Sequence, residues 1–218
     1  MNYIWGWAEL DSLVAFTAIF IGNGNNFGLI LGQLWFLPAL LCAELIFIEL
    51  FNRLGKFGAK IFSAAVVTCS LFGICVGRVS VLPFGFDIAL TAQIFLLAGV
   101  LIRKYNVVER MGLKTGVVLM MILLFAFQFN AHVDMNFRQY GEPFLFYAGG
   151  LAGTLLVMKL SALMTGGKIF SLISDCGRQT MMILVLHPII ANIFYEVLAH
   201  TTNIPPKNFS RTRQSSAR

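Results

Sequence analysis

Long apolar stretches separated by short charged connections constrain this chain more than anything else in it. Runs of 17 to 23 residues recur at about 29–51, 61–77, 84–102, 113–129, 143–163 and 180–198, each closed by a charge, a glycine or a proline. About 20 apolar residues in a helix cross a hydrocarbon core about 30 Å thick. Inside lipid the backbone amides find no water, so a spanning segment must satisfy them within itself. The pattern therefore predicts an all-α, multi-pass transmembrane helix bundle of about six spans. Several runs are short for a full crossing, which tilt and local thinning accommodate.

Composition excludes the soluble alternatives. Only 12% of the 218 residues are charged, against roughly 25% in an ordinary soluble domain, and the mean hydropathy is +0.79. Too few charges remain to cover a water-exposed globule. Residues 1–198 read as one membrane domain, with 199–218 a polar, aperiodic tail composed like a disordered end. The opening segment has no basic amino-terminal region, and its apolar core from Leu13 to Ile21 stops at the NGNN cluster of 23–26. It reads as an interfacial or partial helix, with Trp5 and Trp7 at the headgroup boundary.

The formal charge of +6 suggests nucleic acid until the basic residues are placed. They are scattered through short connections, with no cluster interleaved with aromatics, so no nucleic-acid partner is expected. Arg53, Lys56 and Lys60 fall in one connection and Arg103, Lys104, Arg110 and Lys114 in another. Lys168 and Arg178 lie in the fifth connection, with Lys159 able to snorkel to the same side. The intervening connections hold Arg78 and Arg138. Retention of basic loops on the cytoplasmic side orients the bundle accordingly. The tail, with Lys207, Arg211, Arg213 and Arg218, then returns outside and breaks the pattern. A further span is thus expected where NIPPKNFSRTRQSSAR stands, and that tail reads as read-through sequence.

Glu44 is the first candidate site residue. It lies near mid-bilayer in its run, where an acid costs roughly 2.5 to 3.5 kcal/mol on insertion scales, and such groups face a bundle interior or a wet cavity. A protonated structural glutamate bonded to a neighbouring helix is the equally weighted alternative. Glu49 one turn before Arg53 is explained by an interfacial pair. His187 is the second candidate, since Pro188 removes a backbone hydrogen bond beside it and favours a bend with a polar wall. A structural histidine satisfied by a neighbouring helix competes with that reading, and no Ser/His/Asp or Cys/His spacing identifies a chemistry. Gln93 reads as an interhelical hydrogen-bonding residue, and Asp87 and Asp175 as helix caps. Gly149 and Gly153 form a GxxxG packing stripe. Cys42, Cys69, Cys75 and Cys176 have no CxxC spacing, so neither a metal nor a disulfide is expected.

Four segments in order, LWFLPALLCAELIF at 34–47, LPFGFDIALTAQIFLLAGVLIRK at 82–104, NAHVDMNFRQYGEPFLFYAGGLAGTLLVMKLS at 130–161 and the LHP at 186–188, resemble bacterial acyltransferase 3 membrane proteins. The likeness covers most of residues 30–195 and is strongest to the fucose 4-O-acetylase-like branch. It implies an inner-membrane O-acyltransferase of about ten helices. Such a protein takes acetyl or another acyl group from acyl-CoA, with no bound cofactor, to a sugar hydroxyl of a surface glycan or its lipid-linked precursor. A histidine would relay the hydroxyl proton, and basic groups would hold the CoA phosphates. The resemblance also places a proposed catalytic histidine in a first span, which none of His132, His187 or His200 matches. The chain therefore reads as an internal portion of such a protein, its amino-terminal part encoded separately and its activity alone in doubt. The alternative class is a non-catalytic membrane component, such as a glycan export or assembly subunit.

Overall fold

The computed structural model describes residues 36–164 and 168–180 and, beyond them, residues 182–184, 186, 187, 190, 193, 194 and 197. The expected amino-terminal interfacial helix and the polar tail lie outside the described residues.

Among the described residues up to Arg178, eight α-helices follow one another: α1 (Phe36–Leu54), α2 (Ala59–Val79), α3 (Phe86–Thr91), α4 (Gln93–Lys104), α5 (Val107–Arg110), α6 (Leu113–Phe129), α7 (Pro143–Leu163) and α8 (Lys168–Arg178). Among the described residues the β structure is one isolated bridge, Asp134 to Gln139. The all-α expectation holds. Helices α2 and α7, of 21 residues each, are long and apolar enough to cross a membrane. Two shorter pieces, Pro83–Thr91 and Gln93–Lys104, are long and apolar enough only together and are bent by 50° at their junction, the geometry of a broken span or a re-entrant loop. Helix α6 is apolar but has 17 residues, and the 19 residues of α1 include Glu44, Glu49 and Arg53.

Local chemistry sets these limits. Pro143 opens α7, where its missing N–H is not needed. Gly58 before α2 sits at φ 102°, beyond ordinary L-residue backbone. Helix α4 ends on Arg103 and Lys104, cations that favour the negative end of a helix dipole.

Helix α2 runs antiparallel to the α3–α4 pair, as α6 does to α7, and two contacts mark the ends of the bundle. At one end Arg78 Nη2 donates to the Gly141 carbonyl at 2.8 Å, tying the end of α2 to the 130–142 connection. At the other, Lys159 Nζ on α7 donates to the Val108 carbonyl at 3.1 Å. The connections with single arginines thus meet at one end, and the arginine- and lysine-rich 103–114 connection lies at the other.

Small residues let the helices close. A Cβ at Gly149 would lie 2.8 Å from the Ala126 Cβ, and one at Gly153 would lie 3.5 Å from Leu123 Cδ1, so the expected stripe on α7 is the seam with α6. A second stripe, Gly73 and Gly77 on α2, receives α3. A Cβ at Gly73 would meet the Thr91 amide nitrogen at 2.5 Å. Ile74, Tyr140, Phe146 and Tyr147 form one core cluster, with Phe95 packed edge-on to Phe146. Phe62, Val66 and Leu97 form another, against Phe47 and Leu50 of α1.

Candidate functional site

The bend between α3 and α4 gathers the polar side chains of the bundle's interior. A helix broken at membrane depth frees backbone groups that lipid cannot satisfy. Here α2 and α7 supply the partners. Ser70 Oγ accepts from the Ile94 amide at 3.0 Å and donates to the Thr91 carbonyl at 2.8 Å, with the Leu90 carbonyl at 3.2 Å beside it. Tyr147 Oη donates to the same Thr91 carbonyl at 3.0 Å. Thr91 Oγ1 turns back to the Asp87 carbonyl at 3.0 Å. Ser70 therefore stands in the interrupted ladder, which is a recognised cause of a sharp kink.

Gln93, on the far side of the break, donates through Nε2 to the Ala43 carbonyl of α1 at 3.0 Å and to the Ala89 carbonyl at 2.9 Å. The interhelical role expected for it is observed. Its Oε1 is buried without a partner among the described residues.

At the amino end of α3, Asp87 is fully buried and Arg138 is 8% exposed. Arg138 Nε donates to Asp87 Oδ2 at 2.8 Å and Nη2 to Oδ1 at 3.3 Å. Arg138 Nη1 donates to the Asn136 carbonyl at 2.7 Å. The arginine is aimed inward by a tight loop: Asp134 and Gln139 exchange backbone hydrogen bonds of 2.8 and 2.9 Å, and Asp134 Oδ1 accepts from the Asn136 amide at 2.9 Å. Gly77 lies flat against the pair, where a Cβ would sit 3.2 Å from Asp87 Oδ2 and 3.3 Å from Arg138 Cγ. Tyr140 covers it, 1% exposed, its hydroxyl beside Thr91 but without a hydrogen bond of good geometry. Burial pushes the Tyr140 phenol above its ordinary pKa. Thr91 pulls it down, while the smaller influences of Asp87 and Arg138 raise and lower it respectively.

This arrangement corrects the capping expectation for Asp87. Gly85, at φ 63°, occupies the cap position of α3, and Asp87 bonds Arg138 instead. Asp175 also lies inside its helix, α8, rather than before it. The spacing of 51 residues between Asp87 and Arg138 left no local signal. What the sequence does offer is one acid and one arginine on connections assigned to the same end. Ser70 and the Gly73–Gly77 stripe carried a signal that was passed over, a GxxxG just after a serine inside an apolar run.

Glu44 and His187 lie elsewhere. Glu44 is exposed on α1, on the face opposite buried Ala43 that the other described residues leave uncovered. His187 is half-buried and helical, with Nδ1 3.0 Å from the Ile183 carbonyl one turn earlier. A carbonyl only accepts, so Nδ1 carries the proton there. Neither residue touches the buried cluster or the other among the described contacts. Glu49 and Arg53 form the expected exposed pair.

A family model of an acyltransferase domain matches residues 2–210. The chain belongs to the acyltransferase 3 family. Comparison with curated proteins and with solved structures gave no match. In this acyltransferase 3 protein, a buried polar cluster closed to solvent shapes the bend between α3 and α4. Among the described contacts, Glu44 and His187 stand outside that cluster.

Proposed function

We propose that this acyltransferase 3 protein works in a bacterial inner membrane as a multi-pass O-acyltransferase of the fucose 4-O-acetylase-like kind. It moves an acetyl group from acetyl-CoA to a sugar hydroxyl of a surface glycan or its lipid-linked precursor. The family match over residues 2–210, on a chain with helices apolar enough to cross lipid, carries this reading. In the reaction the hydroxyl oxygen attacks the thioester carbonyl, the C–S bond breaks, and the hydroxyl proton leaves for a base and then the departing thiolate. His187 is the proposed base. Its Nδ1 proton is held by the Ile183 carbonyl, which leaves Nε2 as the acceptor that general-base chemistry requires. Glu44 of α1 is proposed as the second site residue, an acid whose position in an apolar run is expensive unless it faces water or a polar partner.

The test is transfer of labelled acetyl from acetyl-CoA to glycan in membranes expressing the chain. It is run alone and together with an upstream segment that carries a basic residue and a histidine in an apolar span. Glu44→Gln and His187→Ala should each lower transfer by about 100-fold, the scale of general acid–base assistance. Undiminished transfer in both variants removes these residues from the site. No transfer in either preparation favours the non-catalytic membrane component.

A further inference from the structure

Between α4, the 105–109 segment and α7 runs a groove of about 460 Å³, open on one side. Ala98, Gly99 and Ile102 on α4 face Leu151 and Met158 on α7 across it. The groove is almost wholly apolar along its length, and Arg103, Asn106 and Glu109 line it at the end where both helices finish. A water occupies about 30 Å³ of liquid, and a methylene is of similar bulk, so the space suits on the order of fifteen chain atoms. That is the size of one fatty acyl chain.

The basic end supplies the complement. Arg103, Lys104, Arg110 and Lys114 are all exposed there, and Lys159 reaches the same segment through its bond to Val108. Glu109 is the one acid between residues 103 and 114. Among the described residues Arg103, Arg110 and Lys114 make no ion pair, so their charge is available to an outside anion. Residues 95 to 103 of α4 and 151 to 158 of α7 both advance toward that end. A molecule with an apolar chain in the groove would therefore place its head among these cations. An open apolar furrow that ends in a cluster of unpaired cations has the chemistry of an anionic lipid site.

We propose that this groove seats one acyl chain of an anionic phospholipid whose phosphate rests on Arg103, with Lys104, Arg110 and Lys114 around it. The inference stands apart from the acyl-transfer reading, since it uses neither Glu44 nor His187. Gly99 is the position that keeps the groove open, because nothing lies within 4 Å of where its Cβ would be. A leucine there starts from open space at its Cβ and extends its branched end into the furrow.

The experiment is native mass spectrometry of the full chain released from detergent micelles, titrated with phosphatidylglycerol or with phosphatidylcholine of the same chains. Phosphatidylglycerol should bind in preference. Arg103→Gln should weaken it about fivefold and leave phosphatidylcholine unchanged, as expected for one cation near a lipid phosphate. Gly99→Leu should weaken both lipids, with the helical circular dichroism of each variant unchanged. Equal binding of the two lipids in the wild type overturns the proposal, as does indifference to both substitutions. Glycerol 3-phosphate competing as well as the whole lipid would show a phosphate site without the groove. Displacement of the lipid by palmitoyl-CoA at lower concentration than by phosphatidylglycerol would assign the groove to an acyl donor instead.

Discussion

Arg138 sits at φ 58°, a left-handed conformation uncommon for a long side chain, and its guanidinium bonds show what holds it there. Removing one partner of a buried pair leaves the other charge stranded, at about 3 to 5 kcal/mol, whereas replacing both by apolar groups is far cheaper. Arg138→Met alone is accordingly expected to lower thermal stability in detergent sharply, and the double variant with Asp87→Leu to recover much of the loss. If the single and double variants melt together, the pair is not what fixes the 130–142 connection. Tyr140 is read by pH. Its raised phenol pKa means the fold favours the neutral form, so its contribution is complete below the ordinary value near 10 and fades as pH rises through the folded value. Tyr140→Phe removes a buried hydroxyl that lacks a well-made bond, so stability at neutral pH should change by less than about 1 kcal/mol. The alkaline fall in melting temperature should flatten, and an unchanged alkaline limb would show the phenol uninvolved.

At the level of elements, the apolar pattern located the helices well and their interruptions poorly. The 113–129 and 143–163 runs coincide with α6 and α7, because Gly112 and Pro143 punctuate them in the chain itself. The 84–102 run does not show its break, since Ala92 is an ordinary helix former and the cause lies on α2 and α7, in Ser70 and Tyr147. Helix α8 was legible and read only as a connection. Ser171, Asp175 and Arg178 share one face of it, with Ile173 on the opposite side. Glu44 and His187 stood out as polar residues in apolar runs, but which neighbours they meet depends on how the helices are assembled. Two substitutions separate the break from general packing. Ser70→Ala leaves the Ile94 amide without its partner and should cost about 1 to 3 kcal/mol in unfolding, the penalty of a stranded buried group. Gly73→Ala sets a methyl against the Thr91 backbone, which cannot swing aside, and overpacking of this kind costs about 1 to 3 kcal/mol. Gly99→Ala is the control, entering open space on a helix and gaining up to about 1 kcal/mol of propensity. Equal melting temperatures for the Gly73→Ala and Gly99→Ala variants would refute the close approach of α2 to α3.

For the whole molecule, the two ends differ in charge and in how they are tied. One end is closed by Arg78 on the Gly141 carbonyl and Arg138 on Asp87, so its arginines are occupied with the protein itself. The other leaves Arg103, Arg110 and Lys114 in the open, and those are the charges that the positive-inside rule counts. An arginine spent on a buried carboxylate contributes nothing to retention, so the effective asymmetry is steeper than a count of basic residues suggests. The bundle is therefore expected to hold the 103–114 and 52–60 connections on the cytoplasmic side. In a variant without native cysteines, single cysteines at Lys56 and Arg110 should resist an impermeant maleimide added to intact cells and react after permeabilisation. A cysteine at Phe137, exposed on the opposite connection, should react in intact cells. Labelling of Lys56 and Phe137 positions from the same side would break the antiparallel arrangement, and labelling of Arg110 from outside would invert it. Inversion would carry the basic mouth of the groove to the outer leaflet, where the attraction of a negatively charged cytoplasmic leaflet no longer acts on it.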